Sequence, residues 1–113
     1  MKEIKAIIQP FMLDNVLLAL DAIAELPGLT VSQVLGWGKS RGATVQEPVR
    51  EAGHSFAKKT KLEIVVADEL APRVIQAIVE NARAGRAGDG KIFVSEVAEV
   101  VRIRTGERDG EAL

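Results

Sequence analysis

Residues 2–38 read KEIKAIIQPFMLDNVLLALDAIAELPGLTVSQVLGWG, and a change of period inside this stretch decides the fold. In KEIKAIIQ, Ile4, Ala6 and Ile8 fall on one side and Glu3, Lys5 and Ile7 on the other, the period of a strand. Pro10 ends it. From there Leu13, Val16, Leu17, Leu20 and Ile23 recur every three or four residues, which predicts an amphipathic helix. Pro27-Gly28 breaks that helix. LTVSQVLGWG is then β-branched and alternating, a second strand that ends in glycines.

The same order recurs. TKLEIVVA (60–67) is a strand with Leu62, Ile64 and Val66 on one face. Asp68 is placed to N-cap a second helix, Pro72 fits its first turn, and Val74, Ile75, Ile78, Val79 and Ala82 mark its apolar stripe. A glycine loop follows, then KIFVSEVAEVVRIR (91–104), expected as one long strand that projects Arg102 and Arg104 from one face. Two strand–helix–strand halves predict an α+β, ferredoxin-like fold: a four-stranded antiparallel sheet with both helices on one face. The other face carries Ile7, Val65 and Val97, and a half-apolar sheet face without a cover predicts oligomerisation. The 113 residues suit a single domain, 1–113. Residues 38–58 show no sustained period and are expected as a long flexible loop, and 105–113 as a polar tail.

Composition narrows the chemistry. A net charge of −1 gives no global pull toward nucleic acid or anionic membrane. No cysteine is present, so disulfides and thiolate metal sites are excluded. No apolar run approaches the roughly 20 residues of a membrane span, and the first residues read as folded protein rather than a leader; a cytoplasmic location is expected. The strand KIFVSEV lacks the interleaved aromatics of an RNA-binding sheet. No paired acid and base, and no nucleophile with an activating histidine, marks an enzyme.

The glycine loop, AGRAGDGK (84–91), is where chemistry concentrates. Gly85, Gly88 and Gly90 allow positive φ, and successive N–H groups suit an anion. Arg86 and Lys91 flank it, and Arg102 and Arg104 add guanidinium groups that match phosphate oxygens. A polyphosphate is the natural ligand. The match to the phosphate-loop pattern is nevertheless poor, because Ile92 stands where a Ser or Thr belongs and a strand follows in place of a helix.

GDGKIFV followed by VRIRTGE resembles the PII signal-transduction family, as do the opening MKEIKAIIQPFMLDNVLLAL, GLTVSQVLGWG and KLEIVV. The resemblance spans the chain except 39–58. It implies a homotrimer that regulates a partner protein, such as a transporter or enzyme, in nitrogen or related metabolism through its long loop, the T-loop. It also implies ATP or ADP sites between subunits. The phosphate cradle would map onto Gly88, Asp89, Gly90 and Lys91, with Arg102 and Arg104 across the cleft and Gly36 and Gly38 closing the phosphate side. Ile8, Thr30, Glu63 and Val65 would surround the base and ribose.

The departures matter too. The family's loop tyrosine, the uridylylation acceptor in many bacterial members, is missing, since the chain has no tyrosine. Ser40 replaces a glutamine that helps hold Mg²⁺ and 2-oxoglutarate, which argues against that sensing, while Lys59 keeps the position that meets the effector's carboxylate. Ala84 replaces a usual Ser or Thr, and Trp37 a common phenylalanine. His54 is the only histidine; three copies around a trimer axis, joined by Glu47 or Glu51, would make a metal site. Some divergent family members without the tyrosine accompany metal-efflux or other transport systems, so the alternative is a metal-responsive regulator.

Overall fold

The computed structural model describes residues 1–37, 49–51 and 53–113, without the side chains of 49–51. Strands β1 (Lys2–Ile8), β2 (Thr30–Gly36), β3 (Val49–Glu51), β4 (His54–Val66) and β5 (Gly90–Glu96) alternate with helices α1 (Leu13–Asp21) and α2 (Ala71–Ala82). The main sheet is antiparallel with strand order β2-β4-β1-β5, and the short β3 pairs only with the start of β4.

Register explains why both helices share one side. Ile4 lies opposite Ile64 on one neighbour and Val94 on the other, and Ala6 lies opposite Leu62 and Ile92. Period two therefore stacks Ile4, Ala6, Ile8, Leu62, Ile64 and Val66 on a single face, and all are buried. Val16 and Leu20 of α1 and Val74 and Ile78 of α2 complete that core. The α+β ferredoxin-like expectation holds. Each fully buried Ile, Leu or Val contributes about 1.5–3 kcal/mol relative to exposure. The opposite face presents Lys5, Ile7, Lys61, Glu63, Val65, Lys91 and Phe93, with Lys61 Nζ 3.4 Å from a Glu63 carboxylate oxygen.

Three local expectations are corrected. Asp68 does not cap α2: it lies in a 3-10 turn ahead of the helix, and its carboxylate sits 2.8 Å from the amino group of Met1. That ammonium holds the Asp68 carboxyl below its ordinary range. The last strand stops at Glu96 rather than running to Arg104, because its partner ends: Lys2 is paired with Glu96, and only the Val97 N–H still donates, to the Met1 carbonyl. Beyond it, Val101 bridges Arg108, and a tight turn closes with the Gly106 N–H on the Arg102 carbonyl at 2.7 Å. Arg102 therefore opens a turn and Arg104 lies within it, so the two do not share a strand face. Finally, β4 begins at His54, six residues earlier than expected, and pairs with β3 across Gly53 at φ 80°. Residues 49–51 and 54–58 are thus strand, not loop.

Candidate functional site

The chain after α2 breaks at Arg83 and enters the glycine loop. This loop carries its own acid inward. One carboxylate oxygen of Asp89, Oδ2, accepts the N–H groups of Ala84 at 2.9 Å, Gly85 at 2.8 Å and Arg86 at 3.2 Å. The Asp89 N–H closes the same turn on the Arg86 carbonyl at 3.3 Å. Partial desolvation pushes the Asp89 carboxyl up, but the three amides and the Arg86 charge outweigh it, so its pKa lies below the ordinary value. The first three amides of the loop are therefore not bare, as the glycine pattern suggested. Those of Ala87 and Gly88 donate to no partner among the described residues.

A second tie joins the loop to the sheet. Lys59 Nζ on β4 donates to the Gly88 carbonyl at 2.8 Å. Burial lowers the Lys59 pKa, and the neighbouring Asp89 charge offsets part of that. Gly36, at the end of β2, leaves room for this side chain: a Cβ there would stand 3.1 Å from Lys59 Cγ. Gly90 is fixed more tightly. Its φ is 106°, and a Cβ would fall 1.7 Å from the Ile7 carbonyl oxygen, so only glycine lets the loop enter β5 opposite Ile8.

The sequence-predicted residues fall into two groups. Ile8, Asp89, Gly90 and Lys91 line one cavity of about 340 Å³ between β1, β5 and α2, while Lys59 and Gly36 are not part of its lining. Ile8 serves there from the core, being buried. Thr30, Glu63, Val65 and Arg102 line a second depression, closed by Ala112 and Leu113. Along β4, Lys59 and Val65 are about 20 Å apart at the usual strand rise. Arg102 is already engaged: its Nη1 meets Glu107 at 2.8 Å and its Nη2 meets the Leu113 carbonyl at 3.3 Å. Arg104 is exposed and makes no polar contact among the described residues. Gly38 and Ser40, and with them Glu47 of the supposed metal site, lie outside the described residues.

His54 opens β4 with its ring edge-on to Trp37 at 5.6 Å and to Phe56 at 6.5 Å. Among the described residues no group of three His, Cys, Asp or Glu side chains could hold a metal ion. No helix there is long and apolar enough to cross a membrane.

Sequence reasoning missed what Asp89 and Glu107 do. An acid between two glycines signals a side chain turned onto its own backbone, and Thr105-Gly106 signals the turn that brings Glu107 to Arg102. The Lys59–Gly88 contact spans 29 residues and leaves no local mark.

Comparison with known proteins agrees with the fold. The family model described as Nitrogen regulatory protein P-II matches residues 1–107. Proteins named Nitrogen regulatory protein P-II from Rhizobium etli and Azospirillum brasilense are 50% and 48% identical over 113 residues, covering all of this chain and all of each relative. One of that name from Microchaete diplosiphon is 48% identical over the same span. With a matching family model, full-length relatives and the expected sheet and helices, the chain belongs to the P-II family of nitrogen regulatory proteins.

Proposed function

We propose that this chain is an adenine-nucleotide-responsive regulator. Three copies assemble, ATP or ADP binds in the clefts between them, and the phosphate state reaches a partner protein through the segment at 38–58. The partner is a transporter, an enzyme or another regulator, met in the cytoplasm. The observation that carries this reading is the outward side of the glycine loop. Asp89, Gly90 and Lys91 of that loop line one cavity with the apolar Ile7 and Ile8, and Gly90 admits no side chain there. Amides and a cation suit phosphates, and apolar strand residues suit a base.

The division of the candidate residues supports a site shared between copies. One chain offers the glycine loop at one end of β4 and Thr30, Glu63, Val65 and Arg102 toward the other. A neighbouring copy would bring the second group against the first, and the exposed Phe93 and half-buried Ile7 and Val65 give that copy an apolar surface to cover. Within such a cleft, Lys91 would neutralise phosphate charge, Arg102 would share its guanidinium between phosphate and Glu107, and Glu63 would accept from the sugar or base. The nucleotide supplies only charge and shape. A ligand then biases the long loop by its differential affinity for the loop's states. Lys59, tied to the glycine loop and lying on the strand that continues into the β3–β4 hairpin, is placed to pass that bias on.

Calorimetry with ATP, ADP and AMP, repeated with Mg²⁺ and 2-oxoglutarate, tests the reading, with sedimentation for assembly state. ATP and ADP binding well ahead of AMP by a trimer is expected. A monomer, or AMP bound as tightly as ATP, overturns it.

A further inference from the structure

We propose that the Asp89 carboxylate is an internal anion that shapes the glycine loop and thereby positions the loop's outward amides for phosphate. Asp89 is thus a positioning residue, and its role rests on the anion-binding reading above. Three N–H groups converge on one oxygen of this side chain, the geometry otherwise presented to a bound phosphate. The protein has filled that nest itself. An external phosphate at Ala84–Arg86 would face a full negative charge, so it must dock on the other side of the turn. The next two amides, of Ala87 and Gly88, have no partner among the described residues, and Gly88 holds a φ of 96°. Lys59 fixes that side by gripping the Gly88 carbonyl, which keeps the adjoining peptide from rotating. The charged groups facing Asp89 are Arg86 of its own loop and Lys59 of β4, both cations.

The arrangement makes a prediction opposite to simple Coulomb reasoning. Removing a negative charge beside an anion site ordinarily strengthens anion binding. If Asp89 is what holds the loop in shape, removing it weakens binding instead.

The experiment uses the full chain, with inorganic pyrophosphate, ATP and adenosine as probes. Calorimetry is run on wild type, Asp89→Asn and Asp89→Glu, beside amide hydrogen exchange by NMR. In wild type the amides of Ala84, Gly85 and Arg86 exchange slowly. In Asp89→Asn they lose protection while Ile64 in the core keeps its own, pyrophosphate and ATP bind roughly tenfold more weakly or worse, and adenosine is unchanged. Asp89→Glu keeps the charge but is one methylene too long, and it behaves like Asp89→Asn. Fast exchange of the three amides in wild type overturns the proposal without any variant. So does either variant binding pyrophosphate as well as or better than wild type. Wild type that takes pyrophosphate and ignores ATP removes the nucleotide reading and leaves Asp89 its role. Wild type that takes neither probe overturns both.

Discussion

The two turns that follow the two helices make an instructive pair. After α1 the chain closes on itself with apolar side chains: Ile23 is buried, Leu26 and Leu29 pack against the core, and the Leu26 N–H donates to the Ile23 carbonyl at 3.1 Å. After α2 the chain closes on a carboxylate, with Asp89 drawing three amides inward. A turn filled with hydrocarbon spends its shape on the core. A turn organised around an anion holds the same rigidity at the surface and leaves polar backbone facing outward. The proposed site falls at the second turn for that reason, and the first supplies stability.

Several measurements break or sharpen this contrast. The largest effect is expected at Gly90, where any Cβ collides with the Ile7 carbonyl. Gly90→Ala should cost more than about 3 kcal/mol, because both the backbone angle and the β1–β5 pairing are lost. Denaturant unfolding reads it, and wild-type stability would sink the explanation. Next comes the apolar turn: Ile23→Ala should lower stability by about 2–4 kcal/mol, with the ratio of ATP to adenosine affinity intact. A change in that ratio would blur the distinction between the turns.

Asp89→Ala should do the reverse, with about 1–2 kcal/mol of stability lost and the ATP-to-adenosine ratio reduced. The same carboxylate sets an acid limit. Its pKa is lower in the fold than in the unfolded chain, so its stabilisation is fully present above the ordinary carboxyl pKa and is lost as pH falls through the folded value. Chemical shifts of Ala84, Gly85 and Arg86 should move together in that acid window; movement near neutral pH would contradict it. The smallest effect is expected for Lys59→Met, about 1 kcal/mol or less, since it removes one part-buried hydrogen bond while keeping the aliphatic stem. Its test is weaker coupling between nucleotide and loop, read as loss of nucleotide-dependent exchange in 54–58.

Much of the fold was legible because its signals are periodic. Ile4, Ala6 and Ile8 alternate, Val74, Ile78 and Ala82 recur at helical spacing, and both sets are buried. The end of β5 was not, since a strand's length is set by its partner, and nothing in VSEVAEVVRIR says that β1 begins at Lys2. The start of β4 was hidden by polarity: His54, Ser55 and Lys58 do not alternate cleanly, and only Gly53 hints at a hairpin. The candidate site was legible as composition, glycines and cations in one loop. Its working parts were not, because the direction of Asp89 and the reach of Lys59 are facts of tertiary placement.

The aromatic group at the start of β4 has a practical consequence. The chain holds one tryptophan and no tyrosine, and that tryptophan, Trp37, is half-exposed beside His54 where β2 leads into residues 38–48. The intrinsic ultraviolet emission of each chain is therefore dominated by a single indole at the entry to the segment proposed to meet the partner. Ligand binding can be followed by its intensity and wavelength in the unlabelled protein.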